Sequence, residues 1–300
     1  VRSRGLGDVY KRQTGYIGSN LIKTLLKEDW CISIIADPRF GYSNIEDILS
    51  EIEIIEYSGD ITILLEWFSV NNPDVVFHLA AAVITDCKPS QIANLIQSNI
   101  QFGCEVMEAM LRSSCRNFIC TGSYWQNYNS NLYNPVDLYA ATKESFEIMC
   151  QYYIDRYQYN VISLRLFDVY GENDKRPKLL NKLCQIAGTQ QTLDISPGEQ
   201  MLDLIHISDV CSAYLKTYEY MCNRKFSRVG VFGVCTGKRY KLKDIISLFE
   251  KILGKKINVN LGGKSYKERE VMFPILYNSI PNWLPKIDIS EGLARFRNKC

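Results

Sequence analysis

The segment LYAATKESFE sets Tyr139 and Lys143 four residues apart within a run of helical apolar spacing. On a helix, that interval puts both side chains on one face. An ammonium beside a phenol favours the phenolate, lowers the tyrosine pKa towards neutrality and fits it for proton transfer. Sixteen residues earlier, Ser123 closes the apolar run NFICTGS. A hydroxyl at a strand end is well placed to hydrogen-bond a carbonyl oxygen. Tyr-x-x-x-Lys alone occurs often by chance, and its bland reading is a half-buried aromatic beside a solvated lysine. The features upstream decide between the two.

These side chains need a scaffold. The runs CISIIAD (31–37), IEIIEY (52–57), PDVVFHLAA (73–81), NFICTGS (117–123), NVISLRLFDVYG (160–171) and GVFGVCTG (230–237) read as strands. Between them NLIKTLLKED, QIANLIQSNIQFGCEVMEAMLRSS and LYAATKESFEIMCQYYIDRY carry apolar residues three or four apart, as helices do. The alternation predicts an α/β fold, a Rossmann-type doubly wound parallel sheet. Beyond about Gly171 it loosens, and Pro177, Pro197, Pro274, Pro281 and Pro285 punctuate the chain. Residues 14–171 are therefore expected to bind a dinucleotide, and 172–300 to form a smaller mixed substrate region. The strand near 230–237 is expected to return to the sheet.

TGYIGSNLIKTLL sets Gly15 and Gly18 at the mouth of an amphipathic helix. Glycines there permit a tight bend and close approach to a pyrophosphate, which the helix N-terminus receives with unpaired N–H groups. Asp37 ends the next strand, 19 residues after Gly18, where a carboxylate meets the adenosine ribose hydroxyls. The alternative for Asp37 is a cap or turn, and Arg39 offers a cation to a 2′-phosphate instead. The carboxylate tips the expectation to NAD, with NADP possible. Arg12 holds the place of the first glycine, and residues 1–13 are basic and polar where a buried strand belongs. SRGLGDVYKRQ reads like the in-frame translation of a transposon-end sequencing adapter. On that reading, 1–13 is a non-native segment that replaced the first strand; a basic N-terminal arm is the alternative.

At 46% hydrophobic, 23% charged and a formal net charge of +2, the 300-residue chain has no electrostatic case for nucleic acid or a membrane surface. No run reaches the roughly 18 apolar residues of a membrane span, and no secretory core follows the N-terminal arginines. Eleven cysteines without a C-x-x-C pair, and only His78 and His206, argue against a metal site. They fit reduced thiols in a cytoplasmic protein. His78, inside an apolar strand, reads as a satisfied core histidine, and Arg165 as structural.

With the turn, Asp37, Ser123 and Tyr-x-x-x-Lys in this order, the chain from Thr14 onward resembles the extended short-chain dehydrogenase/reductases. This is the NAD-dependent epimerase/dehydratase family, which acts on nucleotide sugars. TGYIGSNL, GDI (59–61), HLAA (78–81), Asn99, Ser123, YAATK, LRLFDVYG and DLIHISDV follow in the family's order. The resemblance implies that Ser123, Tyr139 and Lys143 are catalytic. It implies cofactor contacts from Gly15, Tyr16, Ile17 and Gly18 in the turn, from Asp37, and from Asp60 and Ile61 beside the adenine. The backbone of Leu79, Ala80 and Ala81 would pass along the cofactor, with Asn99 near it and Tyr139 and Lys143 at the nicotinamide end.

TGSYWQNYN, YNPVDLYAATK, LRLFDVYGENDKRPK, SPGEQMLDLI and YKEREVMFP are similar to CDP-abequose synthase-like reductases, which reduce 4-keto nucleotide sugars for surface-polysaccharide deoxysugars. Met201-Leu202-Asp203 stands where many members have arginine before the aspartate, so a usual diphosphate clamp is absent. Lys178 and Arg269 are the substitutes. Trp125 and Gln126 are expected to shape the sugar pocket. Asp168, at a place often held by asparagine, faces substrate or serves as a structural acceptor. The expected function is a 4-ketoreductase working as a homodimer on a nucleotide sugar. The alternatives are a nucleotide-sugar epimerase or dehydratase and, outside enzymes, an NAD(P)-sensing or scaffold protein. Retention of Ser123, Tyr139 and Lys143 favours an enzyme.

Overall fold

A computed structural model describes residues 15–223, 228–297 and 300; the reading of residues 1–13 as a non-native segment lies outside them. Amphipathic and apolar runs fold in alternation as α1 (Tyr16–Lys27), β1 (Ser33–Ala36), β2 (Glu53–Glu56), α2 (Ile61–Val70), β3 (Val76–His78), α3 (Ile92–Ile96), α4 (Phe102–Met110), β4 (Asn117–Ser123), α5 (Leu138–Tyr157) and β5 (Asn160–Leu166). Then follow β6 (Asp168–Tyr170), α6 (Leu179–Ile186), β7 (Leu193–Ile195), β8 (Met201–Leu202), β9 (Leu204–His206), α7 (Ile207–Met221), β10 (Val229–Val234), β11 (Tyr240–Lys241), α8 (Leu242–Leu253), β12 (Val259–Leu261) and α9 (Ile289–Phe296).

Strands β10, β5, β4 and β3 form a parallel sheet in that spatial order, and β1 pairs in parallel with β2. Parallel neighbours need crossovers, so helices cover both faces. Ile119 and Ile162 pack with α1 and α7 on one face. Phe118, Cys120 and Val161 pack with α2, α4 and α5 on the other. Neighbouring residues of β4 thus enter opposite cores, as the two-residue strand period requires. A further core around Leu183, Phe249, Leu293 and Phe296 joins α6, α8 and α9.

Two runs that read as single elements are broken. The strand expected over 160–171 divides at Phe167, and β6 leaves the main sheet to pair with β9. The Phe167 ring stacks on Tyr124 at 4.7 Å, and the Asp168 N–H donates to the Asp203 carbonyl. Distant partners therefore decide the break. The helical run 91–114 is interrupted by a π-turn over 97–101, a feature that recurs at functional sites.

Reduced thiols throughout were expected, but Cys184 of α6 and Cys300 form a disulfide, their Cα atoms 5.0 Å apart. Both lie against the α6–α8–α9 core, which draws the chain end back onto α6.

Candidate active site

Strand β4 delivers Ser123 to the edge of a short 3-10 turn, Tyr124–Gln126. Ser123 Oγ accepts from the Trp125 N–H at 3.3 Å, and the Ser123 N–H donates to Gln126 Oε1 at 2.9 Å. This reciprocal pair is a capping box, written S-x-x-Q in the sequence. Because Oγ accepts from its own turn, its proton can be directed outward.

Helix α5 starts where the Asp137 carboxylate accepts the Ala140 N–H at 2.8 Å. Tyr139 and Lys143 follow in its first turns, 8% and 3% exposed. Tyr139 packs with Ala81, Ala82 and Leu95, with Trp125 alongside. The HLAA segment, the serine turn and α5 therefore converge on the tyrosine. Lys143 is close enough to His78 for its charge to act on the imidazole.

Asn99, expected at the cofactor, is engaged otherwise. It is 1% exposed, and its Oδ1 accepts the Ala82 N–H at 2.7 Å. Its Nδ2 donates to the Ala82 carbonyl at 3.0 Å and to Thr142 Oγ1 at 2.9 Å. Thr142 in turn donates to the Tyr139 carbonyl at 2.7 Å. Asn99 ties the HLAA segment to α5, because the π-turn aims its amide between them.

The remaining cofactor candidates lie at the start of α1, beyond β1, at the start of α2 and after β3. Helix α1 opens at Gly15 with no side-chain cap and no acidic residue in its first turn, leaving its N–H groups for an anion. Gly18 is buried in that turn beside the half-buried Ile17. Asp37 stands just beyond β1, 3% exposed. Its carboxylate accepts from Arg39 Nε at 2.9 and 3.0 Å, from Nη2, and from the Arg39 N–H at 3.0 Å. Asp37 and Arg39, weighed above as rivals, are one unit. Asp60 is the exposed N-cap of α2, where bonds from the Thr62 hydroxyl and N–H hold its carboxyl below the usual range; Ile61 begins the helix. Ala80 and Ala81 are buried and Leu79 half-buried after β3.

Two partners at this face were not anticipated. The Arg176 guanidinium lies 4.5 Å from the Tyr16 ring centroid. It donates to Asp174 through Nε and Nη2, each at 2.7 Å, and to the Val169 carbonyl at 3.1 Å. The arrangement repeats that of Asp37 and Arg39, and its signal was present as aspartate two residues before arginine, in DPR and DKR.

Among the substrate candidates, Trp125 borders Tyr139. Gln126 does not line a pocket: it is 0% exposed and turned inward onto Glu144 and Glu147. The capping box sets that direction, and S-x-x-Q was the overlooked signal. Asp168 accepts from the Tyr124 hydroxyl at 3.0 Å; burial raises its carboxyl pKa, opposed by Lys178, that hydroxyl and Arg176. Lys178 is exposed at the start of α6. Arg269 stacks on Tyr128 at 4.4 Å and donates through Nη2 to Asn134, while its buried Nε has no hydrogen-bond partner among the described residues. Asp203, left without the arginine of the usual motif, holds the turn after β10 by accepting from Thr236 and Gly237.

His78 is in the core, but it is not satisfied. Its ring lies among Phe102, Phe118 and Phe146, and neither nitrogen has a hydrogen-bond partner among the described residues. Burial and then Lys143 push its pKa down to about 3. Arg165 is structural as read, paired with Glu144 and Glu147.

A doubly wound parallel sheet, with Ser123 ending β4 and Tyr139 and Lys143 in the first turns of α5, has the architecture of a Rossmann-fold, dinucleotide-dependent enzyme. Residues 13–227 match the NAD dependent epimerase/dehydratase family, and the chain belongs to it, with NAD as cofactor. It is 29% identical over 264 residues to CDP-abequose synthase of Yersinia pseudotuberculosis, covering 87% of this chain and 89% of that protein. It is 25% identical to the CDP-abequose synthase of Salmonella typhimurium, covering 93% of each. The fold matches UDP-glucose 4-epimerase of Thermotoga maritima at a TM-score of 0.80 and 20% identity, over 95% of this chain and 96% of that one. UDP-glucuronic acid 4-epimerase of Bacillus cereus, solved with UDP-glucuronic acid and NAD, matches at 0.79 and 23% over the same shares.

Proposed function

We propose that the protein is a nucleotide-sugar 4-ketoreductase serving deoxysugar synthesis. The convergence of the HLAA segment, Trp125 of the serine turn and α5 on Tyr139 carries this reading, and the near full-length similarity to CDP-abequose synthases supports the substrate class. When bound, NADH supplies the hydride for the carbonyl carbon. Tyr139 gives its proton to the carbonyl oxygen, completing the alcohol. Lys143 stabilises the phenolate left behind and helps to hold the cofactor's ribose. Ser123 donates to the oxygen as charge builds there, a bond stronger in the transition state than in the ground state.

In this reading, residues 14–171 with β10 bind the cofactor and 172–300 mainly bind the nucleotide sugar. Trp125 and Asp168 border the sugar, and Lys178 and Arg269 meet the diphosphate. The homodimer and cytoplasmic location belong to the same proposal. Ile148, Met149 and Tyr152 give α5 an exposed apolar face, and no described helix is long and apolar enough to cross a membrane.

The second reading is a nucleotide-sugar 4-epimerase, favoured by the family itself. The test is incubation of the full chain with 4-keto nucleotide sugars and NADH or NADPH. A parallel sample carries an apolar strand ending in Gly-x in place of residues 1–13. Stoichiometric cofactor oxidation marks a reductase. A parallel incubation with 4-hydroxy nucleotide sugars and NAD separates the second reading: isomerised sugar without net change in the cofactor marks an epimerase, and neither outcome marks a sensor or scaffold.

A further inference from the structure

We propose that Gln126 is a positioning residue for Ser123, locked by the half-buried Glu144 and Glu147 and the buried Arg165. The proposal rests on the reading of Ser123 as donor to the substrate oxygen. Tyr139, Lys143 and Glu147 are spaced four residues apart, so one face of α5 carries all three. Beneath the serine turn, Gln126 Nε2 donates to Glu144 Oε2 at 2.7 Å and to Glu147 Oε1 at 3.2 Å. Arg165 Nη2 donates to Glu144 Oε2 at 3.2 Å and to Glu147 Oε2 at 2.7 Å, and Ser163 Oγ to Glu147 Oε1 at 2.6 Å.

Glu144 Oε2 and Glu147 Oε1 already accept from Arg165 and Ser163, so these oxygens select the NH₂ end of the Gln126 amide. The carbonyl end is thereby forced towards the Ser123 N–H, which it accepts at 2.9 Å. The cluster thus sets the direction of the amide, and the amide sets the backbone of the serine. Gly122 adds an independent sign of close fit. A Cβ there would fall 2.9 Å from Gln126 Oε1, 2.9 Å from Ser163 Oγ and 3.0 Å from Glu147 Oε1. The backbone before Ser123 rests directly on the cluster, and a Cβ there would have to displace these side-chain oxygens.

An apolar cluster of equal volume would hold these elements together at least as firmly. Hydrogen bonds add direction, which a donor aimed at a developing oxyanion needs. The serine turn is thereby held in register with the helix face that bears Tyr139 and Lys143.

The test replaces Gln126 by Met in the full chain, keeping length and removing all three side-chain hydrogen bonds. Expected are faster amide hydrogen exchange at Ser123 and a kcat loss on the order of 10²-fold, with sugar KM and NAD affinity close to wild type. Unchanged exchange at Ser123 overturns the proposal. So does a raised sugar KM with unaltered kcat, which would make Gln126 a binding residue. Should Gln126→Met fail to fold, Glu147→Gln and Glu147→Leu decide. The first keeps an acceptor for Gln126 and should perturb Ser123 exchange less than the second; equal effects overturn the proposal. If Tyr139→Phe keeps wild-type turnover, the functional reading falls, while Ser123 exchange still decides the positioning role.

Discussion

Tyr139 and Lys143 are both nearly enclosed, so their replacement tests chemistry and packing separately. Tyr139→Phe keeps the ring against Ala81 and Ala82 and removes only the hydroxyl. Turnover should fall about 10²–10⁴-fold, the usual worth of general acid–base help, with NAD affinity nearly intact. Steady-state kinetics with a confirmed sugar checks this; full activity in the variant would mean the proton comes from elsewhere. Lys143→Ala should damage both turnover and NAD affinity. The Asp37 carboxylate, proposed to meet the adenosine ribose, is gripped by Arg39. Removing it should weaken NADH more than NADPH, because a carboxylate repels a 2′-phosphate. Titration of Asp37→Ala with both cofactors decides; a wild-type preference for NADPH would hand control of the site to Arg39.

Among the elements, α4 and α5 meet most closely where Gly103 faces Phe146. A Cβ at residue 103 would collide with the Phe146 ring, which is 3% exposed and has no room to retreat. Alanine gains about 0.5–1 kcal/mol over glycine within a helix, whereas overpacking a core costs about 1–3 kcal/mol. The second effect wins, so Gly103→Ala should lower stability by about 1–2 kcal/mol. Urea unfolding should register the loss, and an unchanged or raised midpoint would refute it. The same contact seats α5 against α4, so the placement of the helix that carries Tyr139 depends on a glycine two elements away.

Across the whole molecule, two buried groups bend the pH dependence of stability in opposite directions. Burial pushes Glu147 from 4.5 up to about 7, against Arg165, Ser163 and Lys143, while Glu144 adds to the rise. The folded chain then binds more protons than the unfolded chain between those values, so this group removes stability as pH rises from 4.5 to about 7. His78 falls from 6.5 to about 3, so the unfolded chain binds more protons there, and this group adds stability as pH rises from about 3 to 6.5. The two oppose each other between 4.5 and 6.5. Glu147→Gln should therefore steepen the rise of stability with pH in that window, and His78→Phe should reverse it. Urea midpoints measured across the window check both; profiles parallel to wild type in both variants would refute the assignment.

Much of this protein is local and was legible in the residues. Strand runs, the 138–157 helix and the order of glycine turn, Asp37, Ser123 and Tyr139–Lys143 depend on neighbours a few positions apart, which spacing and capping describe. S-x-x-Q and the two D-x-R turns were legible too, although their partners were not. The split of 160–171 depends on Tyr124 and Asp203. The inward turn of Gln126 depends on Glu144 and Glu147, the use of Asn99 on Ala82 and Thr142, and the disulfide of Cys184 on the chain's last residue. Each outcome is a choice between two satisfied states of one side chain or strand. Local propensity leaves the two nearly equal in energy, and a partner tens of residues away breaks the tie only once the sheet and helices have brought it within bonding distance.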